Sequence, residues 1–159
     1  LFLITLFVGV FLLLMGKKNS MWLAWGATIT GALLSVVLKE IFDRPRPQVV
    51  PHLAEVKSAS FPSGHALMSA VVYLTLGALL SQFVRQLWVK CYVLGVAVFM
   101  TGIIGLTRIF LGVHYPTDVL AGWTVGLTWA LLCWNLAAWL QRRGSVEPAG
   151  MKVSAGDEG

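Results

Sequence analysis

The chain has 159 residues, of which 57% are hydrophobic and 12% are charged, and its formal net charge is +5. Soluble domains carry about twice that charged fraction. The apolar residues also come in long uninterrupted blocks, so the composition indicates a polytopic helical membrane protein. The basic residues lie at the ends of apolar runs rather than along one soluble face, and we therefore expect no nucleic-acid partner.

Five apolar segments in chain order are predicted to be membrane helices: Leu1–Met15, Met21–Leu38, Ser63–Phe83, Cys91–Thr107 and Thr117–Leu140. The first is short for a full span, and the chain opens inside an apolar run, so we expect an N-terminally truncated domain. Residues 1–140 are thus predicted to form one all-α transmembrane helical bundle. Residues 141–159, which fade into Gly, Ala, Ser and Glu, are predicted to be a disordered cytoplasmic tail.

The distribution of basic residues predicts the orientation in the membrane. Simple short connectors hold one group, which we place in the cytoplasm: Lys17, Lys18, Arg85, Lys90, Arg142 and Arg143. The opposite, extracytoplasmic end holds Lys39, Arg44, Arg46, Lys57 and Arg108. Four tryptophans are then predicted to form an aromatic belt at the cytoplasmic interface: Trp22, Trp25, Trp88 and Trp139. No span has a charge in its middle, which disfavours ion pumps and coupled transporters.

Small residues inside the spans predict close packing. Gly122 and Gly126 form a small-xxx-small pair in the last span, which favours a close helix contact within or between chains, so the oligomeric state stays open. Cys91 and Cys133 both lie in predicted spans. We interpret them as small apolar packing residues rather than as a disulfide or a metal site.

Three polar clusters are predicted to meet at the extracytoplasmic end. The first runs from Lys39 to Pro47, the second is Pro62-Ser63-Gly64-His65, and the third runs from Thr107 to Asp118. Each lies at the end or the start of a predicted span. Two loops and four helix ends therefore converge on one membrane surface.

The second cluster has the chemistry of a phosphate site. Proline suits the first turn of a helix, where free backbone N–H groups point outward and seat anions. Gly64 lets a ligand approach the backbone, and Ser63 adds a hydroxyl donor. His65 would stand beside the phosphate as a proton donor or acceptor.

The other two clusters add charge and a second histidine. Lys39, Arg46 and Arg108 bring three cations, which stabilise a phosphoryl group in transfer. Of two histidines, one can attack phosphorus while the other protonates the leaving oxygen. Asp118 follows His114 by four residues and can fix its tautomer, and it can also cap the last span. No group of Cys, His or carboxylates has metal-ligand spacing, so we predict a reaction without a metal or cofactor.

These motifs resemble the type 2 phosphatidic acid phosphatases (PAP2), the membrane branch of the superfamily that includes vanadium haloperoxidases. The family pattern is Lys, six residues and Arg-Pro; then Pro-Ser-Gly-His; then Ser-Arg, five residues, His, three residues and Asp. The chain keeps every internal spacing, with the single departure that Thr107 replaces the usual serine. The resemblance implies a PAP2/haloperoxidase-like helical core of six spans, of which this chain lacks the first, and an activity that hydrolyses phosphate esters.

The resemblance also implies residue roles. His114 would attack phosphorus and form a phosphohistidine, His65 would protonate the leaving group, and Asp118 would orient His114. The phosphate would be held by five residues: Lys39, Arg46, Ser63, Gly64 and Arg108. Outside the pattern, a solvated loop is the favoured interpretation for Arg44 and Lys57, and His52 is not expected to be catalytic.

The sequence thus predicts an integral membrane lipid-phosphate phosphatase with its site on the extracytoplasmic face of the cell (inner) membrane. Candidate substrates are phosphatidic acid, phosphatidylglycerol phosphate, an isoprenyl pyrophosphate such as undecaprenyl pyrophosphate, and lipid A. The loop from Gln48 to Phe61 is expected to help choose among them. Two alternatives stay open: a phosphotransferase that passes the same phosphoryl group to another lipid, and a non-catalytic protein that binds or flips lipid phosphates.

Overall fold

The computed structural model describes residues 1–47 and 59–142. Its helices are α1 (Phe2–Leu14), α2 (Lys18–Phe42), α3 (Gly64–Gln82), α4 (Leu87–Phe110) and α5 (Pro116–Arg142). One turn of α3, Ala70–Leu74, is π-helical. The described residues contain no β-strand, and the predicted all-α class is confirmed.

Each predicted apolar segment corresponds to one helix. By length and composition, α2 to α5 are able to cross a membrane. The 13 residues of α1 span about 20 Å, less than the roughly 30 Å of a hydrocarbon core. At the polar ends the helices run about one turn further than predicted, since α2 continues to Phe42 and α4 begins at Leu87. Long basic side chains there can keep their charge in the polar interface while their backbone stays helical.

The predicted tail overlaps the described residues only at its start. α5 continues to Arg142, and residues 143–159 lie outside the described part of the chain. His52 and Lys57, with most of the predicted substrate-selecting loop, lie in 48–58 and are also outside it.

Helix α3 lies at the centre of the bundle. In its apolar stretch 61% of the residues are buried, against 17% to 33% for α2, α4 and α5. Leu67, Val71 and Val72 on α3 are fully buried, and they pack in a core with Leu12 of α1 and Met21 of α2. By contrast, the outward faces of the helices are apolar and exposed, as expected for helices that contact lipid.

Two glycines set the distance between α5 and α3. A Cβ atom at Gly122 would lie 2.7 Å from the carbonyl oxygen of Ser63, and one at Gly126 would overlap the carbonyl of Leu67. Neither position has room for a larger side chain without a backbone shift. The small-residue pair therefore packs within the chain, and it brings the start of α3 against the first turns of α5.

Tryptophan side chains join other helix pairs. The indole N–H of Trp25 on α2 donates to the carbonyl of Thr5 on α1 at 3.1 Å. That of Trp123 on α5 donates to the carbonyl of Thr101 on α4, also at 3.1 Å. Trp25 thus packs between helices, in contrast to the other three residues of the predicted belt, which are largely exposed or half-exposed. Cys91 is likewise exposed on the surface of α4, so its predicted packing role inside the protein is wrong, because its position on α4 faces outward.

Candidate active site

The predicted site residues meet at one end of the bundle. The backbone N–H of Ser63, at the start of α3, donates to the carbonyl of Asp118 on α5 at 2.9 Å. A guanidinium N–H of Arg46, beyond the end of α2, donates to the carbonyl of Val113 at 2.9 Å. These bonds join three separate helix ends, and Val113 directly precedes the second predicted catalytic histidine.

His114 lies on the turn between α4 and α5 with its side chain only 3% exposed. The turn requires a left-handed residue, and Gly112 supplies it at φ 65° without a side-chain clash. The Nε2 atom of the histidine is 3.4 Å from Nη1 of Arg46. Its ring thus has one nitrogen directed to a cation and the other to the interior of the site.

The surroundings of His114 keep its ring neutral. Burial and the charge of Arg46 lower the pKa of His114 to about 4, although the Asp118 carboxylate acts in the opposite direction. The charge of Lys39 also lowers this pKa, and the Ser60 backbone raises it. A histidine with a pKa of about 4 is unprotonated near neutral pH, so one ring nitrogen keeps the lone pair that the predicted role as nucleophile requires.

Turnover that needs neutral His114 is expected to persist well below pH 6.5. Protonation removes the nucleophile only as the pH falls through the folded-state pKa of about 4, whereas an unperturbed histidine is about 97% protonated at pH 5. The acid limb of kcat/KM reports this group in the free enzyme. Arg46→Gln removes a cation that lowers the pKa, so it should move the limb to higher pH with the same substrate. Identical acid limbs in the two proteins would contradict this assignment.

Several donors hold the fully buried carboxylate of Asp118. Its Oδ1 accepts a hydrogen bond from Nη1 of Arg44 at 2.8 Å. Its Oδ2 accepts from the hydroxyl of Ser60 and from the backbone N–H of Tyr115, the latter at 2.9 Å. The distance from Oδ2 to Nδ1 of His114 is 3.6 Å, which is longer than a hydrogen bond. The structure therefore places Asp118 beside His114, but the direct hydrogen bonds of its carboxylate go to other groups.

The contact with Tyr115 gives Asp118 its second predicted role. Tyr115 directly precedes α5, and the carboxylate reaches back from the first turn to its backbone N–H. This is the acidic half of a capping box, which satisfies one of the donors that a helix start leaves free. Asp118 thus caps α5 while it stands next to the histidine.

Arg44 belongs to the site, although a solvated loop was the favoured interpretation of it. Besides its ion pair with Asp118, Nη1 lies 3.0 Å from the hydroxyl of Thr117. The guanidinium stacks over the ring of Tyr115 at 4.4 Å from the ring centre. Planar guanidinium groups favour both contacts. The available signal was its place two residues before Arg46 in an Arg-Pro-Arg-Pro run.

Ser60 is a second residue that the sequence reasoning did not single out. It is fully buried, and its backbone N–H donates to the carbonyl of Arg44 at 2.8 Å. Its hydroxyl donates to Asp118 and lies 3.4 Å from Nδ1 of His114. No chemical pattern marks an isolated serine in a loop, so its only signal was nearness to the Pro-Ser-Gly-His cluster.

The predicted phosphate-binding cations face the start of α3. A Cβ at Gly64 would lie 3.7 Å from Nζ of Lys39, so the ammonium group stands beside the glycine backbone. The positive charges of Arg108, Lys39 and Arg46 all interact electrostatically with the ring of His65. His65 itself is exposed at the helix start. The structure thus brings these residues together around the free N–H groups that open α3.

Ser63 occupies the residue before α3 and is fully buried. Its hydroxyl has no hydrogen-bond partner within the described part of the chain. Its predicted hydrogen bond to phosphate stays a prediction.

The described residues contain no group of three His, Cys, Asp or Glu side chains that could hold a metal ion. The absence of a metal or cofactor stays a prediction.

Comparisons with known proteins find relatives that carry phosphatase names. The chain is 40% identical over 105 residues to phosphatidylglycerophosphatase B of Bacillus subtilis, an alignment that covers 62% of this chain and 48% of the relative. It is 27% identical over 131 residues to a lipid A 1-phosphatase of Rhizobium johnstonii, with 73% and 50% covered. The chain thus spans about half the length of these curated relatives.

The fold has a close counterpart among solved structures. The crystal structure of a transmembrane PAP2-type phosphatidylglycerolphosphate phosphatase from Bacillus subtilis superimposes with a TM-score of 0.80 at 32% identity. The superposition covers 87% of this chain and 69% of that one. A sequence profile of the PAP2 superfamily matches residues 19–142, a range that contains every site residue described above. The chain is therefore a multi-pass membrane member of the PAP2 superfamily.

Proposed function

We propose that this chain is a lipid-phosphate phosphatase that transfers a phosphoryl group from its substrate to His114 and then to water. The observation that carries the proposal is the environment of His114 at the centre of the site. It is buried, it is neutral at physiological pH, and its Nε2 lies 3.4 Å from Arg46. A nucleophile that attacks phosphorus needs a bare nitrogen beside cations that neutralise the phosphate.

The first chemical step forms a bond from Nε2 of His114 to phosphorus. The bond between phosphorus and the lipid oxygen breaks, and this oxygen takes a proton from His65. Water then attacks the phosphohistidine, and His65 accepts one of its protons. The nitrogen–phosphorus bond breaks with its electron pair returning to Nε2, and inorganic phosphate leaves.

Three cations stabilise both transition states. Lys39 stands beside Gly64, Arg46 contacts His114, and Arg108 acts on His65. Negative charge that develops on the equatorial phosphate oxygens is therefore stabilised by cations from the ends of α2 and α4. Such preorganised charges supply much of the catalysis in phosphoryl transfer.

The position of the site supports a lipid substrate. It lies at the ends of membrane-spanning helices, where a polar headgroup can enter while its acyl or prenyl chains stay in the bilayer. Among residues 1–47 and 59–142, the basic residues outside the site collect at the opposite end of the bundle, which by the positive-inside rule faces the cytoplasm. We accordingly assign the site to the extracytoplasmic face of the cell (inner) membrane. Phosphatidylglycerol phosphate is the first candidate substrate, because the relative at 40% identity is named as a phosphatase of that lipid.

The test is release of inorganic phosphate by the purified full-length protein in detergent. The substrate panel is phosphatidylglycerol phosphate, phosphatidic acid, undecaprenyl pyrophosphate and lipid A, each assayed beside His114→Gln. We expect release from at least one lipid, inhibition by vanadate, and no loss of activity with a chelator. Magnesium dependence would contradict the metal-free mechanism.

The same assay separates the alternatives. If phosphate appears on an added acceptor lipid instead of in solution, the protein is a phosphotransferase. Binding of a lipid phosphate without any turnover would point to the non-catalytic binding protein. Either result would overturn the phosphatase proposal.

A further inference from the structure

The hydroxyl of Ser60 lies between the two residues that form the predicted nucleophilic pair. It donates its proton to Oδ2 of Asp118, and its oxygen is 3.4 Å from Nδ1 of His114. The carboxylate and the ring nitrogen are themselves 3.6 Å apart. The serine therefore contacts both partners of a pair that does not make a direct hydrogen bond.

Only one assignment of hydrogen-bond donors and acceptors fits these three groups. A serine hydroxyl has one proton and two acceptor lone pairs. Because the proton goes to the Asp118 carboxylate, the oxygen can only accept from the ring nitrogen. Nδ1 of His114 must then carry the ring proton, and Nε2, which faces Arg46, is left bare.

We propose that Ser60 is a positioning residue that fixes the Nδ1-protonated tautomer of His114 by linking the ring to Asp118. This inference rests on the proposed function, since a fixed tautomer matters only if Nε2 attacks phosphorus. Ser60 itself touches no reacting atom. It acts through His114, in the way that a second group orients a catalytic histidine in other hydrolases.

The burial of Ser60 makes its hydroxyl hard to replace. Ser60 and Asp118 are both fully buried, so solvent does not take over the bond when the hydroxyl is removed. The backbone of Ser60 also hydrogen-bonds to His114, which raises the pKa of the ring, and its N–H donates to the carbonyl of Arg44. Any residue other than proline retains that backbone bond. A change of side chain therefore tests the hydroxyl without removing the loop contact.

The experiment measures the tautomer and the kinetics of the same variants. Nitrogen NMR of histidine-labelled full-length protein distinguishes protonated from bare ring nitrogens, and His114→Gln assigns the signals of His114. Ser60→Ala removes the hydroxyl, and Ser60→Thr keeps it. Ser69→Ala is the matched control, because Ser69 is also fully buried but its hydroxyl donates within α3 to the carbonyl of Ala66.

We expect Nδ1 to carry the proton in the unmodified protein and in Ser69→Ala. In Ser60→Ala the ring should populate the other tautomer, and kcat should fall by about 100-fold, the scale of a misaligned reacting group, with KM little changed. Ser60→Thr should restore both readouts toward those of the unmodified protein. If Ser60→Thr does not fold, Ser60→Cys, which keeps the size of the side chain with a weaker acceptor, should give an intermediate kcat.

Two results separate this inference from the function on which it rests. An unchanged tautomer and an unchanged kcat in Ser60→Ala would overturn the positioning role while leaving the phosphatase intact. A tautomer that depends on Ser60 in a protein that releases no phosphate would overturn the proposed function and support the positioning role. A fall in kcat of equal size in Ser69→Ala would also overturn the inference, because burial alone would then explain the loss.

Discussion

His114→Gln is expected to abolish turnover, with kcat lower by about 10⁶-fold, the scale seen when a covalent nucleophile is removed. The amide side chain fills part of the buried space that the imidazole leaves, so the bundle should still fold. Glutamine has no ring nitrogen that can accept a phosphoryl group. The loss should therefore appear in kcat rather than in binding of the lipid, which the cations and the membrane still support.

The measurement is phosphate release together with trapping of a phosphoenzyme from a phosphate-labelled lipid. The unmodified protein should give an acid-labile, base-stable label, and His114→Gln should give none. His52→Asn is the matched control, because His52 lies outside the motif pattern. A label that survives in His114→Gln would mean that the nucleophile is another residue.

The helices could be predicted from sequence because lipid imposes a simple rule. Every spanning segment must satisfy its backbone hydrogen bonds internally, so an apolar block of the right length is a helix. The errors were local. The predicted ends of α2 and α4 lie about one turn too far inward, because the charges of Lys39 and Lys90 indicate connectors although the backbone of both residues is helical.

Which helices contact each other, and which of them is central, was harder to predict from the sequence. Nothing in the periodicity of the spans marks α3 as the central helix, because a helix surrounded by protein and one surrounded by lipid are both apolar. Gly122 and Gly126 did predict a close contact, but the partner helix became evident only from the structure. Residue type alone could not place Trp25, because a tryptophan near a helix end suits a membrane interface as well as a contact with a neighbouring helix.

In the site, residues with unusual chemistry were found and residues with ordinary chemistry were not. Two histidines, an aspartate and three cations at fixed spacings carry their own signal. Ser60 and Arg44 carry only the weak signal of their place beside a motif, because a loop serine and a loop arginine are common on any surface. Their importance is evident only from two long-range contacts, since the guanidinium of Arg44 and the hydroxyl of Ser60 both donate to the buried carboxylate of Asp118 at the start of α5.

Asp118→Asn is expected to lower kcat by about 10⁴-fold, as when a histidine loses the group that fixes its tautomer. An amide has one oxygen where the carboxylate has two, and both oxygens of Asp118 accept hydrogen bonds. Whichever way the amide turns, its NH₂ group faces a donor: the guanidinium of Arg44, or the hydroxyl of Ser60 and the N–H of Tyr115. We expect a loss of about 1–3 kcal/mol in stability from that buried mismatch.

Arg44→Gln provides the comparison, because it removes the ion pair but keeps the carboxylate. The side chain of Arg44 is 39% exposed but Asp118 is fully buried, so the carboxylate loses a donor that solvent does not readily replace, at a cost of about 1–3 kcal/mol in stability. Its kcat should fall by about tenfold, since an Asp118 carboxylate that has lost one donor is less firmly held. Steady-state kinetics and thermal unfolding in detergent measure both variants.

The double variant decides how the two residues are related. If Arg44 acts only by holding the carboxylate, then Arg44→Gln in the background of Asp118→Asn should cause no further loss of kcat, because the group that it holds is already absent. An additive loss would mean that Arg44 also contacts the substrate, which its partial exposure permits. If Arg44→Gln alone were as harmful as Asp118→Asn, the ion pair with the loop, and not the orientation of His114, would be the main task of Asp118.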